Sequence, residues 1–171
     1  MVHAGLQATE KGVPFMPLRG VIGSDILKHR PDWKVIDSPF GNAPDPVLAL
    51  PAVKLDVALF HAPYADAEGN VFIGRRRELA TMVHAATKVL VTVERIVEGN
   101  LFDSEASAAG ALPAFYFDGI AVAENGAWPC GLTDVYPPDA DAVRAYAVAA
   151  KTEAGFVAWL AEFMQSKRFA A

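Results

Sequence analysis

The chain is 171 residues long and carries 15 Lys and Arg against 20 Asp and Glu, a formal net charge of −5. That acidity argues against a nucleic-acid or anionic-membrane partner recruited by overall charge, and the length suits one domain rather than several. The hydrophobic fraction of 53% exceeds the roughly 45–50% usual for a soluble domain, so the surplus points to a core plus a subunit interface.

Asp56, Glu94, Asp118 and Glu124 interrupt every apolar run before it reaches the ~18–20 residues of a membrane span. A single cysteine, Cys130, excludes an internal disulfide framework and cysteine-rich metal sites. The opening MVHAGLQATEKG has no basic region followed by an apolar stretch and a cleavage site, so a cytoplasmic protein is expected.

In chain order, His3 to Lys11 has helix-forming composition and is stopped by Gly12 and Pro14, although no capping residue begins it. Val13 to Gly20 holds two prolines and is expected as an extended, edge-like or loop segment. Ser24-Asp25 offers an N-cap for a short helix ended by Pro31. Trp33 to Asp37 reads as a short strand, followed by a connection from Ser38 to Pro46. Val47 to Pro51 and Leu55 to His61 are continuous apolar runs, the pattern of strands covered on both faces in a parallel sheet.

A turn-rich stretch from Ala65 to Asn70 precedes the short strand Val71 to Ile73. Leu79, Met82, Val83 and Ala86 recur at helical spacing, which predicts an amphipathic helix over Glu78 to Lys88. Val89 to Val93 is the clearest strand, and strand, helix, strand in succession argues for a right-handed parallel crossover. Glu98 to Ala111 reads as loop with a helical turn, and Ala114 to Val122 as another apolar run before the turn Asn125-Gly126. Beyond Pro137-Pro138 a helical segment is expected over about 139–168, with Asp139 or Asp141 as N-cap. Phe156, Trp159, Leu160, Phe163 and Met164 form its apolar stripe.

Four constellations carry residues with chemistry. Asp56 to Asn70 delivers His61 at the end of a buried strand, followed by a polar turn holding Asp66 and Asn70, which is where open α/β sheets place ligand groups. The same polar residues also suit simple turn formation. Arg75, Arg76 and Arg77 stand at a helix start, where positive charge is unfavourable unless an anion or acidic partner compensates it; a solvated cluster is the alternative. Phe15 to Gly20 presents Arg19 from a proline-stiffened segment. Glu124, before Asn125-Gly126, is a carboxylate able to attack an acyl group, but Asn-Gly equally signals a type I′ hairpin. Cys130 and His84 read as structural, and His3 and His29 have no metal-ligand spacing.

Ala4-Gly5-Leu6 to Gly20, Asp56 to Asn70, Gly74 to Thr81, Val91 to Ile96 and Gly126-Ala127-Trp128-Pro129 together, and in this order, resemble the α subunit of family I CoA-transferases, the glutaconate type in particular. The resemblance implies a single α/β domain over 1–171, with an open, mostly parallel sheet flanked by helices and without the family's N-terminal portion and its glycine-rich loop. It implies exchange of CoA between an acyl-CoA thioester and a carboxylic acid, with coenzyme A entering as substrate and no permanently bound cofactor or metal. It also implies a hetero-oligomer with a β subunit that supplies the nucleophilic glutamate.

On that reading Arg19, His61, Asp66, Asn70, Arg75 and Arg76 are the candidates for binding substrate or CoA. The catalytic residue of this chain is unassigned, with Glu124 and Glu10 the candidates. Two alternatives remain open: a CoA-thioester or ring-opening hydrolase with Glu10 or His61 as base, and a non-catalytic structural or ligand-binding fragment. The apolar surplus predicts that the isolated chain oligomerises or exposes a large apolar patch.

Overall fold

A computed structural model describes residues 1–41 and 44–165. It divides into two compact units, Met1–Val122 and Ala123–Ala171.

Helix α1 (Val2–Glu10) opens the first unit, and Lys11 closes it with backbone bonds to Gln7 and Thr9. Its inner side is Gly5 and Ala8. Gly5 is required by close approach: a Cβ there would stand 2.5 Å from Val53 Cγ2, and Val53 N–H donates to the Gly5 carbonyl at 3.1 Å. Strand β1 (Phe15–Leu18) follows, then a 3-10 turn at Asp25–His29, β2 (Lys34–Asp37) and β3 (Pro46–Pro51).

These three strands form their own antiparallel sheet in the order β1-β3-β2. The expectation that Val47 to Pro51 lies in a parallel sheet is therefore corrected. Its apolarity serves a small cluster of Trp33, Leu48 and Leu50, with Ala4, Leu18 and Leu27 against it. Pro17 sits in the edge strand β1, where a missing ladder donor does least harm. Within the connection Ser38 to Pro46, positions 42 and 43 lie outside the described residues.

The main sheet begins with β4 (Leu55–Asp66), β5 (Val71–Phe72), α2 (Arg77–Ala85) and β6 (Ala86–Val97). The helix expected to run through Lys88 ends at Ala85 instead. Ala86 is already extended, and Leu55 pairs with Ala86 and Val57 with Lys88. The β-branched Thr87 and Val89 on either side of Lys88 favour that continuation. After α3 (Glu105–Ala108) come β7 (Ala111–Leu112), a 3-10 turn at Ala114–Tyr116 and β8 (Gly119–Val122). The apolar run Ala114 to Val122 is thus a turn followed by a strand.

The sheet order is β7-β5-β4-β6-β8, parallel at β4, β6 and β8 and antiparallel at β5 and β7. One face carries Ala58, Ala62, Val89, Val91 and Val93, which share a buried cluster with Val83 of α2. Burial of each large side chain there contributes about 1.5–3 kcal/mol. The other face carries Val57, Leu59 and Leu90, which are exposed, and further along the strands His61, Thr92 and Glu94.

The second unit holds α4 (Ala140–Ala149) and α5 (Glu153–Gln165). Asp139 caps α4 by accepting from Ala142 N–H. Trp159 stacks on Phe163, Phe163 on Trp128, and Tyr146 meets Trp159 edge-on. Of the helical segment expected over 139–168, positions 166–168 lie outside the described residues. Asn125 has φ 56° while Gly126 is absent from the positive-φ residues, so the type I′ hairpin, which needs both, does not form. Successive turns from Glu124 to Cys130 replace it.

Candidate functional site

The parallel register between β4 and β6 sets His61 beside Thr92. Two residues on, and therefore on the same face, stands Glu94. His61 Nε2 lies 2.7 Å from Glu94 Oε1, and Nδ1 lies 2.8 Å from Thr92 Oγ1. One tautomer satisfies both contacts: Nε2–H donates to the carboxylate while Thr92 O–H donates to Nδ1. His61 and Glu94 have side-chain exposures of only 13% and 9%. Both ring nitrogens are therefore committed inside the chain, and the imidazole is held in one orientation. Sequence reading singled out His61 and missed Thr92 and Glu94; their i, i+2 spacing on a strand was visible, but only the β4–β6 register reveals that they meet His61.

At the end of β4 the chain turns around Asp66. Its Oδ1 accepts from the N–H groups of Glu68 and Asn70 at 3.0 and 2.9 Å. Its Oδ2 accepts from Asn70 Nδ2 and Leu101 N–H at 2.8 and 2.9 Å. Asn70 Oδ1 in turn accepts from Ala114 N–H at 3.0 Å, and Gly69 takes φ +92°. Burial raises the Asp66 carboxyl pKa, but the donors from Leu101, Asn70 and Glu68 outweigh it and hold it below the ordinary aspartate value. Asp66 and Asn70 thus fasten three segments of chain to one point.

No hydrogen bond from the other candidates to this cluster occurs among the described residues. Arg19 makes a two-pronged pair with Asp45 at 2.5 and 2.9 Å, in the open. Arg75 is exposed and Arg76 half-buried at the start of α2, and neither has an ion pair among the described residues, whereas Arg77 donates to the Ala109 carbonyl. Glu10, at the end of α1, pairs its Oε1 with His84 Nδ1 of α2 at 3.0 Å, and the His84 ring lies 4.6 Å from Tyr116. Glu124 belongs to the second unit, exposed on a turn. No group of three His, Cys, Asp or Glu able to hold a metal occurs among the described residues, and no described helix is long and apolar enough to cross a membrane.

No family model matches the chain. It is 31% identical over 94% of its length to the A subunit of 3-oxoadipate CoA-transferase from Pseudomonas knackmussii, covering 56% of that protein. It is 32% identical over 96% of its length to the cholesterol ring-cleaving hydrolase IpdA subunit of Rhodococcus jostii, covering 58%. Among solved structures, a variant of the decarboxylase AibA/AibB superposes with a TM-score of 0.81 at 30% identity, over 96% of this chain and 59% of that one. Glutaconate coenzyme A-transferase of Acidaminococcus fermentans gives 0.83 at 24% identity, over 99% and 62%. The chain spans a little over half the length of the curated relatives it matches. Over nearly its whole length it is a homologue, at about 30% identity, of the A subunits of CoA-transferases, and it carries their fold.

Proposed function

We propose that this chain works as the A-subunit part of a CoA-transferase that moves CoA between an acyl-CoA thioester and a carboxylic acid, with a β subunit supplying the nucleophilic glutamate. The observation that carries this reading is the identity to a transferase A subunit over 94% of the chain. In the reaction the partner's carboxylate attacks the thioester carbonyl and expels CoA thiolate, leaving an anhydride. The thiolate then attacks the enzyme's side of that anhydride, giving a glutamyl-CoA thioester and the free acid.

This chain's part is to bind and orient. Arg75 and Arg76 are cations at the α2 N-terminus with no ion pair among the described residues, suited to the phosphates of CoA. The fixed His61–Thr92–Glu94 group locks β4 to β6 midway along both strands. Glu124 is exposed on a turn, with no ion pair among the described residues. The test is to incubate the chain with acyl-CoA in the presence of a CoA-transferase β subunit, then trap with borohydride. The expected result is lost activity, with the reduced glutamate on the β subunit; trapping on Glu124 of this chain alone refutes the assignment.

A second reading, a CoA-thioester or ring-opening hydrolase, is favoured by the Glu10–His84 pair. A carboxylate oriented by an imidazole is suited to take a proton from water. CoA release that is independent of any acceptor acid and lost in Glu10→Gln supports hydrolysis; release that requires the acceptor excludes it.

A further inference from the structure

In the second unit a pocket of about 640 Å³ opens between α4, α5 and the turn at Trp128, lined by the rings of Trp128, Tyr146, Trp159 and Phe163 and by Glu162. That volume lies within the roughly 300–1,000 Å³ of small-molecule sites. Helical spacing builds the walls: Trp159, Glu162 and Phe163 stand at i, i+3 and i+4 of α5 and so share one face, while Tyr146 comes from α4. Trp159 and Phe163 stack at 4.9 Å, and Tyr146 meets Trp159 at 66°, so these rings form a corner. Asp139 fixes the remaining wall. Its Oδ1 accepts from Ala142 N–H at the start of α4 and its Oδ2 from Trp128 Nε1–H, both at 3.0 Å. Its own N–H donates to the Pro129 carbonyl at 2.9 Å.

The charge of the lining is one-sided. Glu162 is its only charged residue, exposed and without an ion pair among the described residues. The faces of aromatic rings carry the negative part of the ring quadrupole, so an anion is repelled by both kinds of wall. A neutral apolar ligand gains from the rings and nothing from Glu162. An organic ammonium gains from the rings as a cation and from Glu162 as its counter-ion.

We infer that this pocket is a binding site for an organic ammonium ion, with the cationic head held by Tyr146, Trp159 and Glu162 and an apolar arm against Trp128 and Phe163. Coenzyme A, with its phosphates, is turned away by the same charges. The inference therefore stands whether or not the chain serves a CoA-transferase.

The experiment titrates choline into the 171-residue chain and follows the indole N–H resonances of its three tryptophans. Those of Trp128 and Trp159 are expected to shift to saturation, while that of Trp33, in the first unit, stays in place. The neutral alcohol in which carbon replaces the nitrogen of choline has the same shape. It should bind about tenfold more weakly or worse, the margin that desolvated cation–π contacts supply. Glu162→Gln and Tyr146→Leu, both changes at exposed helix positions, should each weaken choline about threefold or more and keep the circular dichroism of the parent chain. The inference is overturned if neither indole moves, if Trp33 moves as far as they do, if the neutral alcohol binds as tightly as choline, or if either variant binds choline undiminished. Shifts that dilution of the chain produces and choline does not also overturn it, since a second copy then fills the pocket.

Discussion

Replacing Asp66 by alanine puts the fastening of the β4 turn to the test. The carboxylate accepts four hydrogen bonds and the residue is 2% exposed. Three of the donors, Asn70 N–H, Asn70 Nδ2 and Leu101 N–H, make buried bonds and find no water when the acceptor is gone, at about 1–3 kcal/mol each. The Glu68 N–H is only part-buried and recovers a water. The expected loss is therefore about 6 kcal/mol, a large share of the roughly 5–15 kcal/mol typical of a folded domain. At this chain length it lowers Tm by about 15 °C.

Urea titration with circular dichroism at about pH 7 measures the loss. The same titration across acid pH separates the carboxylate from the space it fills. The folded-state pKa of Asp66 is depressed, so its contribution is complete above the unfolded value of about 3.9 and disappears as pH falls through the folded value. The wild-type chain should lose that stability below about pH 4, and Asp66→Asn, which cannot titrate, should show a flatter acid limb. A loss under about 1 kcal/mol, or an acid limb of unchanged slope, refutes the reasoning.

His61→Ala takes a donor from the Glu94 carboxylate, which is 9% exposed; a loss of about 3 kcal/mol is expected by chemical denaturation, with Thr92→Val milder at about 1 kcal/mol. Gly69→Ala forces a side chain onto φ +92° with its Cβ 3.3 Å from Ala114 Cβ, and thermal melting should register about 1–3 kcal/mol. Arg19→Ala breaks an exposed pair whose arginine side chain is 70% accessible, so its melting curve should move by less than about 1 kcal/mol.

Much of the main sheet was legible in the sequence because apolar run length speaks for itself. Leu55 to His61 and Val89 to Val93 have the length and composition of strands, and the helical recurrence of Leu79, Met82 and Val83 fixed what lay between. The helix end was not legible, since Ala86 continues the helical recurrence and only pairing with Leu55 shows that it belongs to a strand. Val47 to Pro51 misled in another way: its apolarity reports burial on a small antiparallel sheet as faithfully as it would in a parallel one. At the site, the polar turn after it made His61 legible as a candidate, although it lies mid-strand and not at the strand end expected, because β4 runs on to Asp66. Its partners Thr92 and Glu94 lie 31 and 33 residues away, and the charge of Glu94 read only as a break in an apolar run. The same limit hid the Glu10–His84 pair, whose members are 74 residues apart.

Helix α2 ends at Ala85 and strand β6 begins at Ala86, with no residue between them to take up slack. The helix is anchored by Val83 in the core and the strand by its ladder to β4. One residue added or removed at that junction shifts every side chain of β6 to the opposite side of the sheet. Val89, Val91 and Val93 are then delivered to solvent, and Thr92 and Glu94 into the valine layer. The junction is thus a frame-setting point, where length is strictly fixed. Homologues that differ in length should carry their insertions elsewhere, in the exposed turns such as that at Pro31 and Asp32, where no ladder counts residues.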